Sequence, residues 1–237
     1  KLLGGKVRDG MALYPVIPMG EPAKMAAQAG LFAGMGFTIL KLKVGSAPDT
    51  DEARVARVRE AAGPDVKLRL DVNQGWADAP TSIAAIRRLA HYRLDLVEQP
   101  VAAADLDGLA EVRRAVDVPI MVDEGCHSPA DALAIVRKEA ADIINIKLMK
   151  CGGLYRATQI LAIAEAAGLP CIVGSMGESS IGSAAGMHLC LARAAITACE
   201  LIGPAFVQND VATGYEFDVQ NGRGTVSGQP GLGVWLR

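Results

Sequence analysis

The sequence predicts an α/β fold closed as a (β/α)7β barrel of the TIM type, with seven clear βα units and a ragged eighth strand. Three observations predict it. Short apolar runs recur without alternation, the pattern of strands buried on both faces of a parallel sheet. A stretch of helical period separates each run from the next. No Gly-x-Gly-x-x-Gly follows the first run, so an open dinucleotide-binding sheet lacks its fingerprint. The 237 residues suit one such barrel, because α/β barrels of roughly 200–250 residues fold as single units.

Strands are read over 11–17, 37–43, 67–72, 94–97, 119–122, 142–147, 169–174 and, weakly, 198–202. Helices are read between them over 21–35, 50–62, 79–91, 105–116, 129–138, 154–167 and 181–195. Asp49 and Thr50 ahead of Asp51 and Glu52 signal one helix start, and Ser128-Pro129 another. Gly63-Pro64 and Gly168 mark helix ends. The barrel is expected over 1–203, and 204–237, rich in Gly, Pro, Asn and Asp, reads as a tail that packs against it and against a further, capping domain. Gly152-Gly153 suggests an anion-holding turn.

Composition removes several function classes. Hydrophobic residues are 51% and charged residues 21%, which excludes a disordered chain. With 24 basic against 26 acidic residues and no basic run, no nucleic-acid or anionic-membrane surface is indicated. No apolar stretch approaches the ~20 residues of a membrane span. The opening Lys-Leu-Leu-Gly-Gly does not read as a signal peptide. Five irregularly spaced cysteines without a Cys-x-x-Cys pair read mostly as small buried residues in a reducing compartment, so a cytoplasmic protein is expected.

The chemistry is expected where strands end, since these positions face the mouth of such a barrel. Lys41 and Lys43 end strand two, Asp71 and Asn73 strand three, Glu98 strand four, Asp123 and Glu124 strand five, and Lys147 strand six. Glu200 lies near the end of strand eight. From Lys43 the steps to Asp71, Glu98, Asp123 and Lys147 are 28, 27, 25 and 24 residues, one βα unit each. Three converging carboxylates repel one another unless a cation intervenes. An all-oxygen ligand set without His or Cys favours Mg²⁺ first and Mn²⁺ second. Lys41 and Lys43, two apart, point to the same side of their strand. A Lys beside another cation and a metal is expected to have a lowered pKa and to serve as a base. Lys147 stands across the mouth, and opposed lysines suit removal of a proton from one face of a carbon and its return to the other. Lys41 reads as a salt bridge to a ligand carboxylate or as a contact to a substrate carboxylate. Lys150 rivals Lys147 but lies beyond the strand.

These residues carry a resemblance. Lys-Leu-Lys at 41–43, Asp-Val-Asn at 71–73, Val-Glu-Gln-Pro at 97–100, Val-Asp-Glu at 122–124 and Asn-Ile-Lys at 145–147 resemble, in order, the motifs of the enolase superfamily's barrel domain, in the muconate-lactonizing-enzyme subgroup. The resemblance implies that Asp71, Glu98 and Asp123 bind Mg²⁺ and that Lys43 and Lys147 are the acid/base pair. It implies supporting places for Asn73 and for Glu124, the latter holding Lys147. It also implies an N-terminal α+β capping domain, and Lys-Leu-Leu-Gly-Gly is expected to correspond to the place where that domain normally ends, the cap being cut off or supplied elsewhere.

Residues 145–153 resemble dipeptide epimerases, whereas Cys-Glu-Leu-Ile-Gly-Pro at 199–204 lacks their Asp-x-Asp and is closer to cycloisomerases. Glu178 reads either as a partner for a substrate amine or as a helix cap. His91 and His188 read as surface and core residues, His127 as a loop residue and Trp76 as a pocket wall or a clamp over a helix start. The expected activity is Mg²⁺-dependent racemisation or epimerisation α to a carboxylate, of dipeptide or N-acylamino-acid type, through an enediolate. Muconate-type cycloisomerisation and a non-catalytic barrel are the alternatives. The expected partner is a small-molecule carboxylate, and a homo-oligomer is expected.

Overall fold

A computed structural model describes residues 2–218 and 222–237. Eight parallel strands run in chain order: β1 (Val16–Ile17), β2 (Ile39–Lys43), β3 (Lys67–Asp71), β4 (Leu94–Glu98), β5 (Ile120–Val122), β6 (Ile143–Ile146), β7 (Cys171–Val173) and β8 (Ile196–Cys199). A parallel bridge from Leu13 to Cys199, and a bond from the Tyr14 amide to the Cys199 carbonyl, bring the last strand back to the first. Among the described residues seven longer helices cover the outside: α1 (Pro22–Gly34), α2 (Pro48–Ala62), α3 (Ala79–Leu89), α4 (Leu106–Ala115), α5 (Pro129–Lys138), α6 (Leu154–Ala166) and α7 (Ser180–Ala192). This is the expected (β/α)7β barrel.

The differences from expectation have local causes. The run 11–17 is split. Met11–Ala12 joins a small antiparallel sheet with Arg223–Gly224 and Phe217–Asp218, and only Val16–Ile17 enters the barrel. Pro15 stands between the two pieces and has no N–H for a ladder. Helix α2 starts at Pro48, with Ala47 as its cap, two residues earlier than expected; Pro at the first position supplies the helical φ. Ser128 caps α5 as expected, accepting from the Asp131 amide. A single helical turn, Leu148–Cys151, follows β6 and had no periodicity to announce it. Gly152 and Gly153 close that turn, and both amides bond the Leu148 carbonyl. With those donors spent, they form no anion cradle. The tail returns to the barrel. Asp210 accepts from the Ser180 amide and hydroxyl at the start of α7, and the Tyr215 hydroxyl donates to the Leu201 carbonyl.

The barrel interior is layered by the two-residue period of its strands. Tyr14, Ile39, Leu96, Met121, Ile172 and Ala198 form a small apolar cluster, separate from the main core between sheet and helices. Two residues further along five of these segments stand Lys41, Glu98, Asp123, Gly174 and Glu200. The same inward face is thus apolar below and charged above. Its floor fixes the height of the polar layer.

The loops that extend two of these strands meet closely. A Cβ on Gly75 would lie 2.3 Å from the Gly45 carbonyl oxygen, and one on Gly45 2.4 Å from that of Val72. Asp51, fully buried, accepts from the Gly45 and Ser46 amides and from the Trp76 indole at 3.0, 2.8 and 3.2 Å. Trp76 therefore clamps the start of α2 and does not wall the mouth. Gly75→Ala is expected to lower stability by about 1–3 kcal/mol through this overlap, measured by thermal unfolding.

Candidate active site

Asp71 and Glu98 are the last residues of β3 and β4, in register with each other and with Lys43. Asp123, Lys147 and Glu200 each follow one residue after β5, β6 and β8. One carboxylate oxygen from each of Asp71, Glu98 and Asp123 lies within 4.8 Å of the others. All three side chains are buried. Among the described residues this is the cluster able to hold a metal ion.

Each carboxylate faces ammonium groups. Lys41 Nζ is 2.6 Å from Glu200, 2.8 Å from Glu98 and 3.0 Å from Asp71. Lys41 is 1% exposed, which makes it the counter-cation of the floor; a substrate carboxylate would have to displace one of three acids to reach it. Lys43 Nζ donates to Asp71 Oδ2 and Asn73 Oδ1, both at 2.6 Å. Its side chain is 29% exposed, into the mouth. Lys147 Nζ donates to Asp123 Oδ2 at 2.6 Å, and Lys150 Nζ lies 2.6 Å from Asp123 Oδ1. Glu124 accepts from Asn73 Nδ2 at 2.9 Å. It therefore braces the Asn73 turn, where the expectation had placed it on Lys147, whose carboxylate partner is Asp123. Glu178 accepts from the Ser175 hydroxyl and the Met176 amide. It is folded onto its own loop and neither caps α7 nor lines the mouth.

Reading the sequence missed two members of the layer. Asn145 donates to Glu98 Oε1 at 2.7 Å, and the Tyr14 hydroxyl donates to Glu200 Oε1 at 2.9 Å. Asn145 was findable, because it precedes Lys147 by two and so shares its face. Tyr14 sits in an apolar run that gave no such signal.

The charges are unevenly settled. Burial pushes the Glu98 carboxyl up to about 8, reinforced by Asp71, Glu200 and Asp123 and only partly offset by Lys41. Burial also works against ionised Asp123, but Lys150 and Lys147 outweigh it and bring that carboxyl down to about 2. Lys147 is raised above the usual lysine range: burial favours the neutral amine, and Asp123 more than reverses this. The lowered lysine expected from neighbouring cations is thus not the state of Lys147 against Asp123. A buried acid that resists ionisation beside two others is what a divalent cation would relieve, and the donor set, all oxygen, suits a hard ion. The residues fit the metal. Its binding should release the Glu98 proton. Mg²⁺ affinity is therefore expected to strengthen as pH rises through neutrality and to level off above about 8. Calorimetry in buffers of different ionisation enthalpy reads the proton release directly.

Above the charged layer a cavity of about 750 Å³ opens. Its outer wall includes Phe32, Met149, Met176, Ile202 and Phe206, with His127 at its edge. His91 is exposed, and His188 is half-buried with its Nε2 3.2 Å from the Leu232 carbonyl. All five cysteines are free and buried. Among the described residues no helix is long and apolar enough to cross a membrane.

The sequence profile described as "Enolase C-terminal domain-like" matches residues 24–237. The chain belongs to that family. Within it, the chain is 40% identical over 234 residues to N-succinyl-L-Arg/Lys racemase of Bacillus cereus, covering 99% of the chain and 63% of that protein. It is 45% identical over 203 residues to the hydrophobic dipeptide epimerase of Enterococcus faecalis, covering 85% of the chain and 56% of that protein. The dipeptide epimerase of Cytophaga hutchinsonii, solved with Mg and the dipeptide D-Ala-L-Val, superposes with a TM-score of 0.95 at 34% identity over 100% of the chain and 64% of that structure. Other relatives in the family are muconate cycloisomerases. The chain thus spans about 63% of the length of the racemase it matches.

Proposed function

We propose that this barrel is the catalytic domain of a Mg²⁺-dependent racemase or epimerase that moves the proton α to a carboxylate. The observation that carries this reading is the placement of two lysines. Lys43 leaves β2 and Lys147 follows β6, four strands apart around the barrel, and they approach the carboxylate cluster at Asp71 and Asp123, 2.6 Å each. Asp71, Glu98 and Asp123 would hold the metal. When bound, Mg²⁺ supplies Lewis-acid stabilisation of the negative charge that develops on the substrate carboxylate.

The chain's own residues do the rest. A substrate carboxylate at the cluster puts its α-carbon between the two Nζ groups. The lysine on one face takes the α-proton as a neutral amine, and the ammonium on the other face returns one. Lys41 keeps Asp71, Glu98 and Glu200 from repelling one another, and Asn145 holds Glu98 in place. Mn²⁺ would be accepted by the same oxygen set.

The substrate's remaining parts would lie against the apolar outer wall. The segment after β8, Leu-Ile-Gly-Pro-Ala-Phe at 201–206, offers no carboxylate, and Glu200 is spent on Lys41 and Tyr14. An unmasked substrate ammonium finds no counter-charge there. This favours N-acylamino acids and leaves cycloisomerisation of a muconate-like diacid as the second reading. Solvent exchange separates the two in the full-length protein. A racemase incorporates deuterium at the α-position of recovered substrate in ²H₂O, whereas a cycloisomerase bleaches the ultraviolet absorbance of a conjugated diene. Neither signal would leave a non-catalytic barrel.

A further inference from the structure

Asp71 and Glu98 are strand residues whose backbones are held by the sheet, but Asp123 is not. Strand β5 has three residues, and its pairing with β6 ends at Val122 opposite Ile144. Asp123 opens an irregular turn that runs to Cys126. A ligand oxygen at the end of a short, unpaired backbone needs some other scaffold to sit still.

Two buried side chains supply it from opposite sides. Gln99, directly after β4, is 1% exposed, and its Oε1 accepts from the Asp123 amide at 3.0 Å and the Gly125 amide at 3.1 Å. Its Nε2 donates to the Val101 carbonyl at 3.0 Å. Gln99 adopts φ +40, a left-handed conformation that a glutamine enters only against steric cost. A Cβ on Gly125 would lie 2.8 Å from Val122 Cγ2, so the turn can seat on the Gln99 amide only with glycine there.

From the other side comes Lys150, in the helical turn after β6. Its side chain is 8% exposed. Its Nζ bonds the carbonyls of Asp123, Cys126 and Asn145, the last two at 3.2 Å. An ammonium has three hydrogens, and three carbonyls and the Asp123 carboxylate share them. Asp123 Oδ1 lies 2.6 Å away as an ion pair, and the carboxylate's other oxygen meets Lys147. Lys147, by contrast, has Asp123 Oδ2 and the Met176 sulfur as its bonded partners. The two lysines on one carboxylate are therefore not equivalent, and Lys150, with its hydrogens committed to backbone carbonyls and Asp123, is not a second base.

We infer that Lys150 and Gln99 are positioning residues that clamp the Asp123–Cys126 turn and so set the metal affinity of the cluster. The inference rests on the proposed metal role of Asp71, Glu98 and Asp123. It makes a prediction of sign. By charge alone, removing a cation beside a metal site should tighten Mg²⁺ binding. By positioning, Lys150→Met should weaken it, by about 10–100-fold, and Lys150→Arg should recover most of the loss.

The experiment is calorimetric titration of Mg²⁺ into the full-length wild-type protein and these variants, each checked for folding by circular dichroism. Mn²⁺ paramagnetic resonance is recorded in parallel. Weakened Mg²⁺ binding in folded Lys150→Met, with a changed Mn²⁺ spectrum and rescue by arginine, supports the clamp. Equal or tighter binding in Lys150→Met, with wild-type binding intact, overturns it. No Mg²⁺ binding by the wild type overturns the metal reading itself and the clamp with it. If Lys150→Met does not fold, Gln99→Met carries the same test, since it removes the acceptor on the other side of the turn without touching a charge.

Discussion

Asp123→Asn is expected to abolish Mg²⁺ binding. The substitution keeps the shape and removes the negative charge that Asp123 brings to the cluster with Asp71 and Glu98. Losing a residue that merely supports a ligand weakens metal affinity by about 10–100-fold, so losing the ligand's charge should exceed about 100-fold. A second effect follows from the ion pairs. Lys147 and Lys150 both lie 2.6 Å from the Asp123 carboxylate, and a neutral amide leaves two buried ammonium groups facing each other. Removing one partner of a buried pair costs about 3–5 kcal/mol. The backbone bonds of Lys150 persist in the variant and should hold the loss toward the lower end. Asp123→Asn should thus melt several degrees below wild type without metal and show no Mg²⁺-induced rise. Calorimetry and thermal unfolding with and without 10 mM-scale Mg²⁺ (about saturating for a site of ordinary affinity) read both. A folded variant that binds Mg²⁺ within tenfold of wild type would remove Asp123 from the ligand set.

The fold and the ordered motifs were legible in the sequence for one physical reason. A parallel barrel repeats its unit, and each unit writes an apolar strand run followed by a polar residue where the strand ends. Asp71, Glu98, Asp123 and Lys147 fall in register because the helices between them are of similar length. The same period placed Lys41 and Lys43 on one face. Partnership was not legible. Nothing in the spacing says that Glu124 reaches Asn73 from two strands away, that Glu178 folds onto Ser175, or that Lys150 is enclosed by carbonyls. Those facts are set by turn geometry: the left-handed Asn73, Gln74 and Gln99 redirect the chain just past β3 and β4, and no periodicity encodes such residues. The lysine charge states were illegible for a related reason. A neighbouring Lys can be counted in sequence, but the carboxylate that overrides it is found only in space.

Lys43→Ala and Lys147→Ala are each expected to stop net racemisation while sparing half of the exchange chemistry. With two bases on opposite faces, inversion needs both, because a proton removed from one face must return on the other. Loss of either should lower turnover by about 10²–10⁴-fold or more, the contribution of a positioned acid or base. The remaining lysine still reaches one face. Each variant should therefore exchange the α-proton of one enantiomer with solvent and leave the other inert, and the two variants should show opposite preferences. Deuterium incorporation into each enantiomer, followed separately by mass spectrometry in the full-length protein, is the measurement. The two lysines differ in ways that sharpen it. Lys43 leaves Asp71 with Lys41 as a remaining partner at 3.0 Å, and Lys147 leaves Asp123 with Lys150 at 2.6 Å. Neither alanine variant strands a buried carboxylate without a cation, so both should keep the fold and the metal, and Mg²⁺ titration confirms that before exchange is read. Full racemisation surviving in Lys147→Ala would exclude the two-base scheme. Lactone formation from a muconate-like diacid in Lys43→Ala or Lys147→Ala would assign the barrel to one-base cycloisomerisation instead, with the surviving lysine as its acid.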